Sequence, residues 1–234
     1  MANETKISFA LSFVSGFVDT AGFIALFGLF TAHVTGNLVL AGAAFTGSGG
    51  HGNLLGKLLM LPVFVLGVVF AAYLIKYKKA NALHLIVIQA CFIGFFALAG
   101  AYTLHDQINP ANAAVAAVAS FAVFGMAIQN IYMRKLLTIY TPNTVMTGNF
   151  TQFSSDIFNA SDYYLFKKNT RDPEEIKAVL SSLKKVSIVL TGFLAGCFLG
   201  ALLVKMIGLI CCLLPALLLL WVKMQPGLIK LSKL

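Results

Sequence analysis

The sequence predicts an all-α membrane protein of six long transmembrane helices and two short half-helices, arranged as a 3+3 inverted repeat. Three observations lead there. The 234-residue chain is 59% hydrophobic and only 11% charged, whereas a soluble domain carries about 25% charged residues. Six apolar runs are long enough to cross a bilayer. The triplet Thr-Gly-Asn also occurs twice, at 35–37 and 147–149, once in each half.

Composition excludes several classes. A mean hydropathy of +0.88 leaves too little polar surface to coat a water-soluble globule, and it excludes a disordered or fibrous chain as well. The four cysteines, Cys91, Cys197, Cys211 and Cys212, lie inside apolar runs with no metal-ligand spacing, so they read as packing residues. A net charge of +9 would suggest nucleic acid in a soluble protein. Here the basic residues collect beside apolar segments and follow the positive-inside rule. The expected partners are the lipid bilayer and a small-molecule solute, with no nucleic acid, metal or cofactor.

The spans are read at 9–30, 54–75, 83–104, 111–132, 186–204 and 206–222. Two further apolar segments, 37–45 and 149–158, are about half the length a span requires. The first run is too long for a signal-peptide core and no small-x-small cleavage site follows it. If the short segments do not cross, basic residues fall on one side. Lys76, Lys78 and Lys79 follow span two, Arg134, Lys135, Lys167, Lys168, Arg171, Lys177, Lys184 and Lys185 follow span four, and Lys223, Lys230 and Lys233 follow span six. The other side carries Lys57, Lys205 and a basic-free turn at 105–110. Both termini are therefore expected in the cytoplasm. The whole chain, 1–234, reads as a single membrane domain with repeat halves at about 8–104 and 111–223, and a polar cytoplasmic insertion at 159–185.

Downstream of the triplets, Leu61, Phe64 and Gly67 match Leu190, Phe193 and Gly196 in spacing. Each half holds three spans, an odd number, so the second copy must lie upside down. Inverted repeats of this kind are a common build of secondary transporters, with the site at short interrupted segments between the halves. Residues 141–145 contain Pro142 and β-branched side chains and favour an extended path. Thr35 and Thr147 then sit where N-caps would precede the half-helices, with Gly36 and Gly148 allowing close approach. Two helix N-termini inside the membrane would offer N–H groups and partial positive charge to an anion. The plainer alternative is that the triplets cap short surface helices.

Few polar residues interrupt the spans. Asp19 is the one acid inside a long span, where a carboxylate needs a partner, a wet cavity or a proton. Gln129 and Asn130 stand near the corresponding place in the second half and either line a site or join helices. His33 precedes the first triplet, as a titrating gate or an interfacial residue. Arg134 reads as a snorkelling span end. Gln152 and Asp156 share a helix face, and Gly192, Gly196 and Gly200 form a small-residue stripe suited to close packing. The candidate solute-binding set is Asp19, His33, Thr35, Gly36, Asn37, Gln129, Asn130, Thr147, Gly148 and Asn149. No catalytic constellation is present, so an enzyme is not expected.

The segments Gly16–Phe23 with Ala32–Asn37, and Gly125–Asn130 with Met146–Asn149, resemble the paired motifs of the YoaK-type family of small bacterial multi-pass membrane proteins, which contain a domain of unknown function. The resemblance covers nearly the whole chain. Asn130-Ile131 departs from the Asn-Ala usual there, and the 159–185 segment is longer and more charged than usual. The resemblance implies residence in the bacterial inner membrane and supplies no substrate. The expected function is a secondary transporter or permease for a small, anionic solute, with Asp19 as the proton-coupling group. A channel-like pore and a non-transporting scaffold or enzyme subunit are the alternatives. Homo-oligomerisation is left open.

Overall fold

Backbone polar groups in an apolar medium must be bonded within the segment, so apolar runs of this length close into helices. The computed structural model describes residues 2–47, 54–103, 113–167 and 173–231, and its regular structure is helical throughout. The helices are α1 (Ala2–Ala25), α2 (Val34–Phe45), α3 (Leu54–Tyr77), α4 (Ala82–Thr103), α5 (Ala113–Lys135), α6 (Met146–Asp162), α7 (Pro173–Ile207), α8 (Leu213–Lys223) and α9 (Pro226–Leu231). The turn expected at 105–110, and the basic residues Lys168, Arg171 and Lys233, lie outside the described residues.

Among the described residues five segments are long and apolar enough to cross a membrane: Asn3–Ala25, Leu54–Tyr77, Ala82–Thr103, Ala113–Lys135 and Glu174–Lys223. The last holds both of the spans read at 186–204 and 206–222. Gly208 divides it, with a left-handed φ of +67°, and a tight-wound turn over Gly208–Cys212 leads into α8. Leu209 lies against Gly100 near the end of α4, whereas Gly227, just past α8, lies by Asn3 and Ile7 at the start of α1. The chain therefore runs back along the bundle after Gly208.

The centre of the bundle is built from α1 and α5, whose apolar windows are 72% and 61% buried, against 17% for α3. On α3 the outward residues Leu55, Val65, Leu66 and Val69 are exposed and apolar, a surface suited to lipid. α1 packs on α7 and α5 packs on α3; α2 lies on α3 and α6 on α7; α4 packs on both α5 and α8. Three glycines bring α7 against the backbone of α1. A Cβ on Gly192 would sit 2.7 Å from the Phe9 carbonyl oxygen, one on Gly200 2.7 Å from that of Phe17, and one on Gly196 2.8 Å from the Phe17 nitrogen. The nearest carbonyls advance from Phe9 to Phe13 to Phe17 as the glycines advance from 192 to 196 to 200. The glycines of α7 meet α1 at an offset of 183 (192 − 9), whereas Gly16 and Ser12 of α1 face the carbonyls of Phe193 and Val189 at an offset of 177 (193 − 16), so the two helices are parallel with level residues 180 apart, the mean of the two. Gly67 approaches Ala127 and Phe124 similarly at the α3–α5 contact.

That register sets Ala2 level with Ser182, so α7 residues 173–181 overhang the start of α1 by roughly 14 Å at 1.5 Å per residue. The segment 159–185, expected as a polar insertion, is therefore mostly helix. α6 continues to Asp162, a wider-wound turn covers Tyr163–Lys167, and α7 begins at Pro173. Pro173 with Glu174 and Glu175 in the first turn is a favourable helix start, which explains the order despite the polarity. Ala160, Tyr163 and Ile176 form a small core of their own there, with Val179 against it. Asp156, 3% exposed, accepts from Gln152 Nε2 at 2.8 Å and from Ser182 Oγ at 2.7 Å, tying α6 to α7. Cys211 and Cys212 are buried as expected, but Cys91 is exposed on the outer face of α4.

The close α1–α7 contact is testable. Gly196→Ala inserts a methyl against backbone that has no side chain to move aside, and overpacking of this sort costs about 1–3 kcal/mol. A drop in the melting temperature of the detergent-solubilised protein is expected, with no comparable drop for Gly94→Ala, where nothing lies within 4 Å.

Candidate functional site

The first break begins where α1 stops. The N–H of Gly28 donates to the Phe23 carbonyl at 2.8 Å, a six-to-one closure of the Schellman kind. Phe27 (φ 56°) and Gly28 (φ 80°) take the left-handed conformations that turn the chain back. Phe27 pays steric strain there that a glycine would not. Residues 31–33 then return to the level of Asp19, six residues below the end of α1, a re-entry of about 9 Å.

At that depth Asp19 is 4% exposed. Its Oδ1 accepts the backbone N–H groups of Thr31 at 2.7 Å and Ala32 at 2.6 Å, with longer approaches from His33 N and Thr31 Oγ1, both at 3.4 Å. Its Oδ2 lies 2.7 Å from His33 Nδ1. These amides directly precede α2, so the anion expected at the N-terminus of the first half-helix is the protein's own carboxylate. His33 is the accessible member of the pair, its side chain 30% exposed, and its ring meets Phe193 of α7 edge-on at 5.4 Å.

Asn37 holds the same loop from the other side. Its Oδ1 accepts from the Phe30 N–H at 2.8 Å and its Nδ2 donates to the Phe30 carbonyl at 2.8 Å. Asn37 is fully buried and acts as a two-pronged backbone clamp. Gly36 is required by proximity, since a Cβ there would lie 2.8 Å from the Phe30 ring. The threonines do not cap. α2 and α6 begin at Val34 and Met146, with His33 and Val145 in the cap positions and no side-chain cap bond at either. Thr35 and Thr147 sit in the first turns and are exposed, because each helix starts one residue earlier than the triplet suggests.

The second break repeats the clamp with one prong missing. Asn149 Nδ2 donates to the Pro142 carbonyl at 2.7 Å, across the same seven-residue interval as Asn37 and Phe30. Proline has no N–H, so Asn149 Oδ1 has no backbone donor at 142 to accept from. Among the described residues no carboxylate plays the part of Asp19 here. The side chains of Asn143 and Thr144 are buried without a hydrogen-bond partner among the described residues. Beside the break lies a cavity of about 590 Å³ lined by Met133, Arg134, Thr138, Tyr140, Pro142, Val145, Gly148 and Asn149. Burial, and secondarily the nearby Glu4 carboxylate, push the Tyr140 phenol up from its ordinary value, which keeps it a neutral hydroxyl.

The remaining candidates lie elsewhere. Gln129 Nε2 donates to the Leu11 carbonyl of α1 at 2.9 Å, while its Oε1 accepts from Gln89 Nε2 at 2.5 Å and Gln89 Oε1 accepts from the Tyr132 hydroxyl at 2.7 Å. This fully buried chain joins α1, α4 and α5, which favours the helix-joining reading of Gln129. Asn130 is half-buried and outside that network. Seven of the ten sequence candidates thus fall into three places: Asp19, His33, Gly36 and Asn37 at the first break, Gln129 in the core, and Gly148 and Asn149 on the cavity; Thr35 and Thr147 are exposed on the first turns of α2 and α6, and Asn130 stands apart on α5. Sequence reasoning missed Gln89 and Tyr132, although a lone amide in an apolar run was a visible signal, and it read Arg134 only as a helix end. Among the described residues no group of three His, Cys, Asp or Glu could hold a metal.

The unequal clamps set an expectation. Asn37→Ala removes two hydrogen bonds and strands a buried amide pair, a loss of about 2–3 kcal/mol, and Asn149→Ala removes one bond, about 1 kcal/mol. Denaturant or thermal unfolding in detergent should rank Asn37→Ala clearly below Asn149→Ala; equal losses would contradict the two-prong geometry.

No curated protein and no solved structure matches the chain. One family does, described as protein of unknown function (DUF1275), and the match runs over residues 7–224. It takes in both breaks, the Gln129 network and every span, in agreement with the resemblance to an uncharacterised membrane family, and the chain is a member of DUF1275.

Proposed function

We propose that this chain is a secondary transporter for a small anionic solute, built as two inverted halves around the paired breaks. The observation that carries the reading is the repeated clamp, in which an asparagine of a Thr-Gly-Asn triplet grips the carbonyl seven residues upstream at both breaks. The packing supports it. If α1–α4 correspond to α5–α8, then α1 on α7 corresponds to α5 on α3, α2 on α3 to α6 on α7, and α1 on α8 to α5 on α4; all six contacts occur. Irregular backbone inside an apolar bundle is tolerated where it lines a site or is bonded by protein, and paired breaks mark the site in transporters of inverted build.

The chemistry follows from Asp19. A carboxylate holding the amides of 31–33 occupies the donors that a solute anion would need. Protonating it through the accessible His33 weakens its hold on those amides and releases them to the solute, so proton and anion enter together with little net charge. Opening the pair without a proton would leave a charge uncompensated in the apolar bundle, which is costly. The basic residues beside one end of the bundle favour a cytoplasmic position for that end, with both chain termini, in a bacterial inner membrane.

In proteoliposomes with an imposed pH gradient, accumulation of a small carboxylate or phosphate is expected for the wild type. Asp19→Asn should abolish accumulation and retain exchange, because an amide keeps the shape but carries no proton. Accumulation by Asp19→Asn at the wild-type level would remove Asp19 as the coupling group, and flux that only follows the solute's own gradient would favour a pore. For orientation, single cysteines at Ser181 and at 105–110 should be labelled by an impermeant reagent in intact cells at 105–110 only; the reverse pattern would overturn the assignment.

A further inference from the structure

The two breaks are built alike and finished differently, and the difference points to a ligand. At the first, the amides ahead of α2 are taken by Asp19. At the second, the 17-residue α6 starts with no capping side chain. Its first bonded amide is Asn149, whose N–H reaches the Val145 carbonyl at 3.1 Å. The amides of Met146, Thr147 and Gly148 therefore precede the helical ladder, and a helix start of this kind favours an anion.

Two side chains on the adjoining cavity sharpen this. Arg134 lines it and no carboxylate pairs with Arg134 among the described residues. A guanidinium presents a planar fork that matches the oxygens of a carboxylate or phosphate. Asn149, 7% exposed, also lines the cavity. Its Nδ2 is fixed on the Pro142 carbonyl, which settles which end of the amide is which. Its Oδ1 is then an acceptor in the cavity wall, with no protein donor among the described residues. At Asn37 the equivalent oxygen takes the Phe30 N–H; Pro142 deletes that donor.

We propose that this cavity binds a small oxyanion that carries a hydrogen-bond donor of its own, such as a hydroxycarboxylate or a protonated phosphate. Arg134 and the α6 amides take the anionic oxygens and Asn149 Oδ1 takes the ligand's O–H. The cavity volume, about 590 Å³, falls within the usual range for small-molecule sites. A plain carboxylate satisfies the donors and leaves Asn149 Oδ1 unpaired. That Asn149 bond is the specificity element. The role of the site in transport rests on the function proposed above, whereas the binding itself does not.

The test is calorimetric titration of the purified full-length protein in detergent at low salt with glycolate, acetate, phosphate and chloride. Glycolate and phosphate should bind about tenfold more tightly than acetate, the worth of one good hydrogen bond, and chloride should bind more weakly still. Arg134→Gln, at an exposed position that should leave the melting temperature unchanged, should weaken every oxyanion by at least about tenfold. Pro142→Ala supplies an N–H to Asn149 Oδ1, so it should equalise glycolate and acetate while acetate binding persists. Equal binding of glycolate and acetate by the wild type, wild-type affinity in a folded Arg134→Gln, or a glycolate preference that survives in Pro142→Ala would each overturn the proposal. Binding in micelles without accumulation in proteoliposomes would remove the transporter and uphold this site. Accumulation without oxyanion binding would do the opposite.

Discussion

A chain that doubles back inside an apolar bundle must find acceptors for its amides, and each buried amide left unbonded costs about 1–3 kcal/mol. Asp19 answers that constraint for the first break. One carboxylate oxygen gathers the amides at 31 and 32 and the other meets His33. The rest of the break is arranged around it. The left-handed turn at Phe27 and Gly28 aims the chain inward, Asn37 pins Phe30 from the far side, and Phe193 on α7 closes over the histidine ring. The glycine stripe on α7 is part of the same arrangement, since it sets α7 close enough to α1 for Phe193 to reach. A buried negative charge also requires compensation, and the amide dipoles together with the imidazole supply it.

The second break shows what the fold does without such a residue. The asparagine clamp survives because it needs only a carbonyl, which proline still has. The second prong and the internal carboxylate are both lost, and buried polar groups at Asn143 and Thr144 remain without partners among the described residues. The two halves therefore share a backbone plan and differ in chemistry. One break is neutralised from within and the other is lined by an exposed arginine with no carboxylate partner among the described residues.

Much of the plan was legible in the sequence because the signals were local. Apolar runs located the spans, the triplets located both breaks, and spacing put Gln152 and Asp156 on one face. The errors also have local causes. The 159–185 segment reads as a polar insertion with no element assigned to it, yet Pro173 followed by two glutamates is a helix-start signal that polarity alone obscures. The threonines looked like caps, but each helix begins one residue before its triplet. What could not be read was any role that depends on distant chain. Asp19 bonds backbone twelve to fourteen residues away, whose identity is irrelevant to the bond, and Gln129 reaches a carbonyl on α1 that no side-chain pattern announces. The contrast between Phe30 and Pro142 was visible as letters. It acquired meaning only once both asparagines were seen to grip that position.

The length of α7 has a mechanical consequence. Its 35 residues make a rod of about 52 Å, unbroken from Pro173 to the reversal at Gly208. The first quarter projects beyond α1 and is braced to α6 at its base through Asp156 and Ser182. The half nearer Gly208 carries Phe193 and the glycines that seat α1. A tilt of only ~10° pivoting on Gly208 sweeps the Pro173 end sideways by ~9 Å, from the same rise per residue. The overhanging hairpin is thus the long arm of a lever whose short arm bears on the Asp19–His33 pair, so small rearrangements at that pair are amplified into large displacements outside the bundle.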